Sequence, residues 1–570
     1  MIPKAFRFFS LLAVTLIAAV FVTGCPQSDE ATGIYGEAAR QLEEFINAEL
    51  ERGLVTGLSV AFVDDQEVVW SKGFGLADKA NQTPATKDTI YRVGSISKLF
   101  TDIGIMQQVE AGKIDLDADI KTYIPDFRIG DPFETGTPPT LRQLMTHLSG
   151  FPRESPVGSY FDSTFPSLED TVRSIYDTEL VHPPLTVTKY SNIAVTLVGY
   201  ALQLVSGQEY IEYQREHLLG PLGMTSSDFV LTPELEGRLS KAYMWVADGR
   251  EIEAPWFELA TVPAGNLYST VGDLGKFLSC LFAGGKVGET QIVQPETLDQ
   301  MFTIQFTGEG QRRYFGLGFV VGDYRGHKTV GHTGGIYGFN TIVTGLPDEK
   351  LGVIVLVNED LCGGAMSRIH NKALDLLLQA KLGEEPPAEP EIVSVATEVL
   401  GSYVGEFESS RYWAEVTQEA GGLKLNLSGQ VSDLLPLSET EFLVDGKMFN
   451  RGRLVFEADE SGAVNKMILG RGEEFARVDP EAVPEMPGHW NEFVGSYGQE
   501  FIPVIVSIHH GHLYAFLENE FDYRLTPVSD TVFNLPPGMY EGQQLEFKLD
   551  DDGEVSSIVM AYVEFEPIVR

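Results

Sequence analysis

Strand patterns stand at both ends of the first 383 residues, and a long helical stretch separates them. Residues 35–52 carry Leu42, Phe45, Ile46 and Leu50 on one helical face. Strand patterns follow at 57–63 and 67–73, on either side of the polar turn Asp64-Asp65. Residues 113–310 are mostly helical and rich in loops, with a long helix from Ile193 to Leu204. Strands return at 316–321, 327–330, 339–345 and 351–358. A closing amphipathic helix carries Ile369, Ala373, Leu376, Leu377 and Ala380 and stops at Gly383. This order of elements predicts an α+β domain, an antiparallel sheet flanked by helices plus an all-α lobe.

The pattern changes after residue 383. Glu384-Glu385-Pro386-Pro387-Ala388-Glu389-Pro390 is a linker by composition. Short alternating strands and turns fill the rest, and they repeat with a period of roughly 91 residues. Gly401-Ser402-Tyr403 recurs as Gly495-Ser496-Tyr497, and Pro436, Ser438, Thr440 and Phe442 recur as Pro527, Ser529, Thr531 and Phe533. The turn Asp459-Glu460-Ser461-Gly462 recurs as Asp550-Asp551-Asp552-Gly553. Two small all-β antiparallel barrels are expected, with filled cores. The expected division is 34–383 for the α+β domain, 384–391 for the linker, 392–478 for the first barrel, 479–491 for a second linker and 492–570 for the second barrel.

The N-terminus reads as a targeting segment. Lys4 and Arg7 precede an apolar run from Phe8 to Val22, which is too short for a comfortable membrane span. Val22-Thr23-Gly24-Cys25 resembles a bacterial lipobox, so residues 1–25 are expected to be a lipoprotein signal with Cys25 lipidated, and 26–33 a tether. The chain is then exported and membrane-anchored at the cell envelope. The formal net charge of −41 over 570 residues argues against nucleic acid as a partner, because such binding needs basic patches.

Chemistry concentrates in three segments. In Tyr91-Arg92-Val93-Gly94-Ser95-Ile96-Ser97-Lys98, apolar residues Leu99, Ile103, Met106 and Val109 continue at helical spacing. Ser95 and Lys98 then share one face of a first helical turn, where the amine can take the hydroxyl proton. In Lys189-Tyr190-Ser191-Asn192, a Tyr hydroxyl beside a Ser–Lys pair can act as a general base, and the Asn192 amide can hold a substrate carbonyl. In Gly331-His332-Thr333-Gly334-Gly335, placed between two strand patterns, glycines let backbone approach a ligand. Each segment alone has a bland reading: a helix cap with a surface Lys, a core Tyr with Asn192 as the cap, and a glycine-rich strand entry.

Together and in this order, Ser95-x-x-Lys98, Tyr190-x-Asn192 and His332-Thr333-Gly334 resemble the signature of the penicillin-recognising serine hydrolases, over residues 34–383. Leu144–Gly150 and Pro263-Ala264-Gly265 fit as well. The resemblance implies a β-lactamase/transpeptidase-like fold followed by two lipocalin-like barrels. It implies Ser95 as the acylated nucleophile and Lys98 with Tyr190 managing its proton. It implies the N–H groups of Ser95 and Gly335 as an oxyanion hole, and Asn192, His332, Thr333 and Gly334 as substrate contacts. Neither metal nor organic cofactor is required. β-Lactamases and carboxypeptidases of this family usually carry Lys where His332 stands, so weaker grip on a substrate carboxylate is expected. That favours small D-amino-acyl peptides, amides or esters, as in D-stereospecific aminopeptidases of similar layout. The alternatives are a β-lactamase or D-Ala-D-Ala carboxypeptidase, a broad esterase, or a cell-wall-fragment sensor. Asn266, where the family commonly has Gly, puts local loop geometry in question.

The remaining candidates keep structural readings. Cys280 and Cys362 are expected as unpaired buried thiols, His509, His510 and His512 as turn and strand residues, and His147 as a structural hydrogen-bonding residue.

Overall fold

The computed structural model describes residues 31, 33–247, 249–306, 314–419, 421–470 and 472–568. The signal segment, Cys25 and most of the tether lie outside the described residues. Helix α1 (Gly36–Glu51) leads into strands β1 (Gly57–Asp64), β2 (Glu67–Asp78) and the short β3 (Thr83–Pro84). Helices α2 (Ser97–Glu110), α3 (Asn192–Ser206) and α4 (Val271–Phe282) belong to the long helical stretch. Strands β4 (Val320–Tyr324), β5 (His327–Ile336), β6 (Phe339–Leu346) and β7 (Leu351–Val357) follow, and helix α5 (Gly363–Leu382) closes the domain.

The seven strands form one sheet in the order β4-β5-β6-β7-β1-β2-β3, antiparallel throughout. β1 pairs with β7, Leu58 opposite Val357 and Phe62 opposite Val353, so the two ends of the domain meet in mid-sheet. Both strands are buried along almost their full length because helices cover both faces. Alternate residues point to opposite sides. Val60 and Phe62 pack with Leu42, Ile46, Ile369 and Leu377 of α1 and α5. Ala61 and Val63 join the cluster that holds Phe277 and Leu278 of α4. α2 is buried on nearly every side from Ser97 to Met106, which is why its sequence shows little amphipathic contrast.

Two strand boundaries differ from the expectation. Residues 316–319 bend instead of pairing, and β4 starts at Val320. Gly318 turns there with φ +81°, against the Asp102 side chain of α2. β5 is longer than expected and includes the glycine-rich segment 331–335, which is sheet and not an entry to it. A Cβ on Gly334 would lie 2.0 Å from the Val93 carbonyl oxygen, so the glycine marks a close backbone approach.

After residue 383, eight strands between Gly405–Glu408 and Glu473–Arg477 close into an antiparallel barrel, with Phe407 paired to Arg477 at the seam. Its interior is filled by Phe407, Leu425, Phe442, Leu454 and Met467. The second copy divides into a four-stranded and a five-stranded sheet, bridged at Tyr497 and Pro567. The sequence repeat is a structural one. Pro436 pairs with Phe442 and Pro527 with Phe533. The Phe456 amide donates to Thr440 O at 2.9 Å, and Phe547 donates to Thr531 O at 2.8 Å.

Both copies dock on the α+β domain. The second shares its core through Phe161–Phe565 and Tyr337–Phe501 ring contacts at 5.3 and 5.4 Å. The barrel is held by the buried Arg368 of α5. Its guanidinium meets Glu49 at 2.7 Å and donates to Gly446 O and Phe449 O at 3.1 and 2.8 Å. Removing one partner of a buried pair strands the other charge. Arg368→Met is therefore expected to destabilise the protein by about 3–5 kcal/mol, read by urea unfolding. Glu49→Gln added to it is expected to restore part of that loss.

Candidate active site

Ser95 is presented by a turn pinned from three sides. Tyr91–Arg92 pairs with Tyr268–Ser269, and the Val93 amide donates to Leu267 O at 2.9 Å. The chain then makes a 3₁₀ turn over Gly94–Ile96 and runs directly into α2, so Ser95 sits one turn before the α-helix. Gly94 has φ +53°, and a Cβ there would lie 2.9 Å from Gly335 O of β5. Ser97 locks the turn: its hydroxyl donates to Gly94 O at 2.6 Å and accepts from the Leu267 amide at 2.9 Å. Ser95 is partly exposed, while Lys98 on the next turn is buried.

The Lys98 amine lies within hydrogen-bond distance of three oxygens: Ser95 Oγ at 2.9 Å, Asn192 Oδ1 at 2.8 Å and Ala264 O at 2.6 Å. Burial pushes its pKa below the ordinary 10.5; Tyr190 and Glu154 oppose that shift, and the charge of Arg153 adds to it. The helix cap of α3 is Ser191, whose Oγ accepts from the Ala194 amide at 3.0 Å. Asn192 is thereby released from capping and its amide reaches Lys98. Tyr190, on the loop before α3, lies with its ring centroid 5.0 Å from Lys98 Nζ and 5.7 Å from the Arg153 guanidinium. His147 supports this loop: its ring stacks 4.3 Å from Tyr190 and its Nδ1 accepts from the Ser191 amide at 3.2 Å.

β5 forms the opposite wall. His332 and Gly334 are buried, while Thr333 and Gly335 are exposed, as strand alternation requires. The His332 ring stands 6.1 Å from that of Tyr190, and its Nδ1 is 2.5 Å from Thr333 O. Tyr160 donates its hydroxyl to Gly335 O. Asn266 is accounted for by packing. Its buried Oδ1 accepts from Arg92 at 3.0 Å and its Nδ2 donates to Phe229 O at 2.9 Å and Glu258 at 2.6 Å.

A cavity of about 760 Å³ opens at Ser95. Tyr190, His332, Thr333 and Gly335 line it, and Lys98, Asn192 and Gly334 lie behind that lining. Every candidate of the α+β domain therefore converges on one place; Cys25 lies outside the described residues. Sequence reasoning missed Arg153, Glu154, Tyr160 and Phe315. Arg153 and Glu154 directly follow the recognised 144–150 segment, and that adjacency was the one available signal. The C-terminal repeats send Arg411, Met448, Glu518 and Met539 to the same cavity. Among the described residues, no three His, Cys, Asp or Glu side chains group to hold a metal. His509, His510 and His512 flank a hairpin turn and face Asp522, Glu406 and Glu408. Cys280 and Cys362 are unpaired and buried.

Comparison with known proteins agrees with this geometry. The family model described as Beta-lactamase matches residues 42–375, more than half of the chain. "Beta-lactamase-like protein 2" of Dictyostelium discoideum is 32% identical over 248 residues, which are 42% of this chain and 45% of that protein. The match thus spans less than half the length of that relative. The octameric penicillin-binding protein homologue from Pyrococcus abyssi is 27% identical with a TM-score of 0.56, covering 76% of this chain and 99% of its own. D-amino acid amidase from Ochrobactrum anthropi SV3, complexed with D-phenylalanine, shares the fold at 24% identity and a TM-score of 0.53, over 60% of this chain and 99% of its own. With a serine and a tyrosine lining this cavity and a buried lysine behind them, the chain belongs to the β-lactamase family of serine hydrolases.

Proposed function

We propose that this protein is an exported, lipid-anchored hydrolase that cleaves small D-amino-acyl peptides, amides or esters through an acyl-enzyme on Ser95. In this reading Lys98, in its neutral form, takes the Ser95 proton as the hydroxyl attacks the substrate carbonyl, and Tyr190 carries protons to the leaving group. The N–H groups of Ser95 and Gly335 meet the oxyanion, Asn192 and the β5 edge from His332 to Gly335 hold the acyl part, and water releases it.

One observation carries the substrate class: the cations that line the cavity are all engaged by the protein itself. Arg153 faces Glu154 at 3.3 Å and Glu518 at 3.7 Å. Lys189 donates to Met539 O at 2.7 Å, and burial lowers its pKa to about 7. Arg411 pairs with Glu473 and donates to Pro537 O. His332 occupies β5 where a permanent cation would otherwise grip a substrate carboxylate. A pocket so neutralised suits an uncharged leaving side, and Glu541, which also lines it, is the carboxylate placed to meet a free ammonium. The likeness to the amidase supports the fold of this reading; the D-acyl preference rests on the layout of His332 and two C-terminal repeats.

The test is release of p-nitroaniline from D-alanine p-nitroanilide by protein beginning after Cys25. Turnover is expected, with Ser95→Ala lowering it by about 10³-fold or more. Turnover of p-nitrophenyl acetate without any of the anilide would replace the D-acyl reading by the esterase one. Because the neutral Lys98 amine is the active form, kcat/KM is expected to rise with pH through a limb below 10.5. The charge of Arg153 depresses the pKa of Lys98, so Arg153→Met is expected to move that limb to higher pH. For the anchor, the full-length chain expressed in a bacterium is expected to take up labelled palmitate, and Cys25→Ser is expected to abolish it.

A further inference from the structure

Asn192 lies between two groups that leave its amide a single orientation. On one side Lys98 Nζ reaches Asn192 Oδ1 at 2.8 Å, and Lys98 has donors to offer on that side. On the other, Asn192 Nδ2 reaches Glu154 Oε1 at 2.6 Å; burial raises the Glu154 pKa to about 7, and above that pH the carboxylate only accepts. Turning the amide over would set Nδ2 against the lysine N–H groups and Oδ1 against a carboxylate. Glu154 itself is fully buried and held in place by its neighbours. The Arg153 carbonyl accepts from the Asn192 amide at 2.8 Å, and Ser191 Oγ donates to Pro152 O at 2.6 Å, so residues 152–154 are clamped to the start of α3.

The consequence lies at Lys98. A neutral amine has two N–H bonds and one lone pair. Ala264 O at 2.6 Å and Asn192 Oδ1 at 2.8 Å are two acceptors for the two N–H bonds, and the third neighbour is Ser95 Oγ at 2.9 Å. With both carbonyl oxygens held in place, the lone pair is left for the hydroxyl side of the amine, where Ser95 Oγ lies at 2.9 Å beside the Tyr190 hydroxyl, and Ser95 Oγ is the direction needed to accept the nucleophile's proton. We infer that Glu154 is a positioning residue: by fixing the Asn192 amide it aims the Lys98 lone pair at Ser95. The proton moves from Ser95 Oγ to Lys98 Nζ as Oγ bonds the electrophile, and Glu154 exchanges no proton in that step.

The charges facing Glu154 come from several elements. Arg153 is 3.3 Å away on its own loop, with Glu518 of the second repeat beyond it at 3.7 Å from the same guanidinium. Lys98 of α2 and Lys189 before α3 also feel its charge. The effect on Lys98 is to raise its pKa, so removing the charge alone makes the amine easier to deprotonate.

The experiment reads nucleophile activation without assuming any substrate: the second-order rate of Ser95 labelling by a fluorophosphonate probe, followed against pH on the chain beginning after Cys25. Glu154→Gln keeps an acceptor for Asn192 Nδ2 and loses the charge. It is expected to label within about threefold of the wild-type plateau rate, with the ascending limb moved to lower pH. Glu154→Met loses the acceptor and is expected to lower the plateau by about 30-fold or more, within the range of general-base effects. In an Asn192→Ala background the same Met substitution is expected to change the rate by less than about twofold, since the residue it orients is gone. Equal losses in Glu154→Met with and without Asn192 would overturn the inference, as would a Gln variant as slow as the Met variant. Failure of the D-alanine anilide assay would leave this measurement intact, because labelling needs no acyl preference.

Discussion

The structure depends on keeping one lysine amine out of water without leaving it unsatisfied. A buried ammonium is costly unless its donors are met, and burial shifts the balance toward the neutral amine. Lys98 is met by oxygens from three separate parts of the chain: the turn at Ser95, the start of α3 at Asn192, and the short helix that contains Ala264. Each part has its own anchor, namely Ser97 for the turn, Ser191 for α3 and the Thr101 hydroxyl for the Ala264 helix through Pro263 O at 2.7 Å. The all-α lobe and α2 thus hold one another in place around the amine. Satisfying the buried amine and setting it 2.9 Å from Ser95 Oγ are here the same arrangement.

The sheet performs the complementary task. β5 approaches the Ser95 turn closely. That contact is made by backbone alone: Gly94 against Gly335, and Gly334 against Val93. A Cβ at Gly94 or at Gly334 would push the strand away from the Ser95 turn. Thr341 on β6 ties the contact from behind, donating toward Val93 O at 3.0 Å and Gly334 O at 3.3 Å. β5 in turn is held in register by β6 and β7, and β7 by β1, so the wall facing Ser95 rests on a sheet assembled from both ends of the domain.

Most of this was readable from sequence because it rests on local periodicity and on residue types with few alternative roles. The α1 stripe, the β1 and β7 runs and the 91-residue repeat were all visible, and so was the convergence of Ser95, Lys98, Tyr190, Asn192 and His332 once three motifs stood in order. What was not readable is instructive. The extension of β5 through Gly331–Gly335 was hidden because glycine lowers strand propensity while being required wherever two backbones touch. Glu154 was hidden because a lone carboxylate in a loop ordinarily faces solvent; only the tertiary fold shows it buried against an amide. The division of the second repeat into two sheets is equally invisible, since its strand pattern matches that of the copy that closes.

The C-terminal repeats shape the space in front of Ser95. A hydrolase domain of this kind needs no lid to activate Ser95, yet here both repeats line the cavity. Lys189, next to Tyr190, donates across the boundary to Met539 O, and Arg153 faces Glu518 on the turn 518–520. Glu518 and Asn519 hold φ values of +54° and +55° at that tip, a conformation ordinary side chains avoid. The tip is fixed from its own side by Tyr540, which donates to Glu518, and by Asn519, whose Nδ2 donates to Phe501 O at 2.8 Å. A turn so braced is a wall and not a flap. At about 760 Å³, the site falls in the range of small-molecule pockets. Both repeats thus wall the cavity, while Ser95, Lys98 and Tyr190 all come from the first 383 residues.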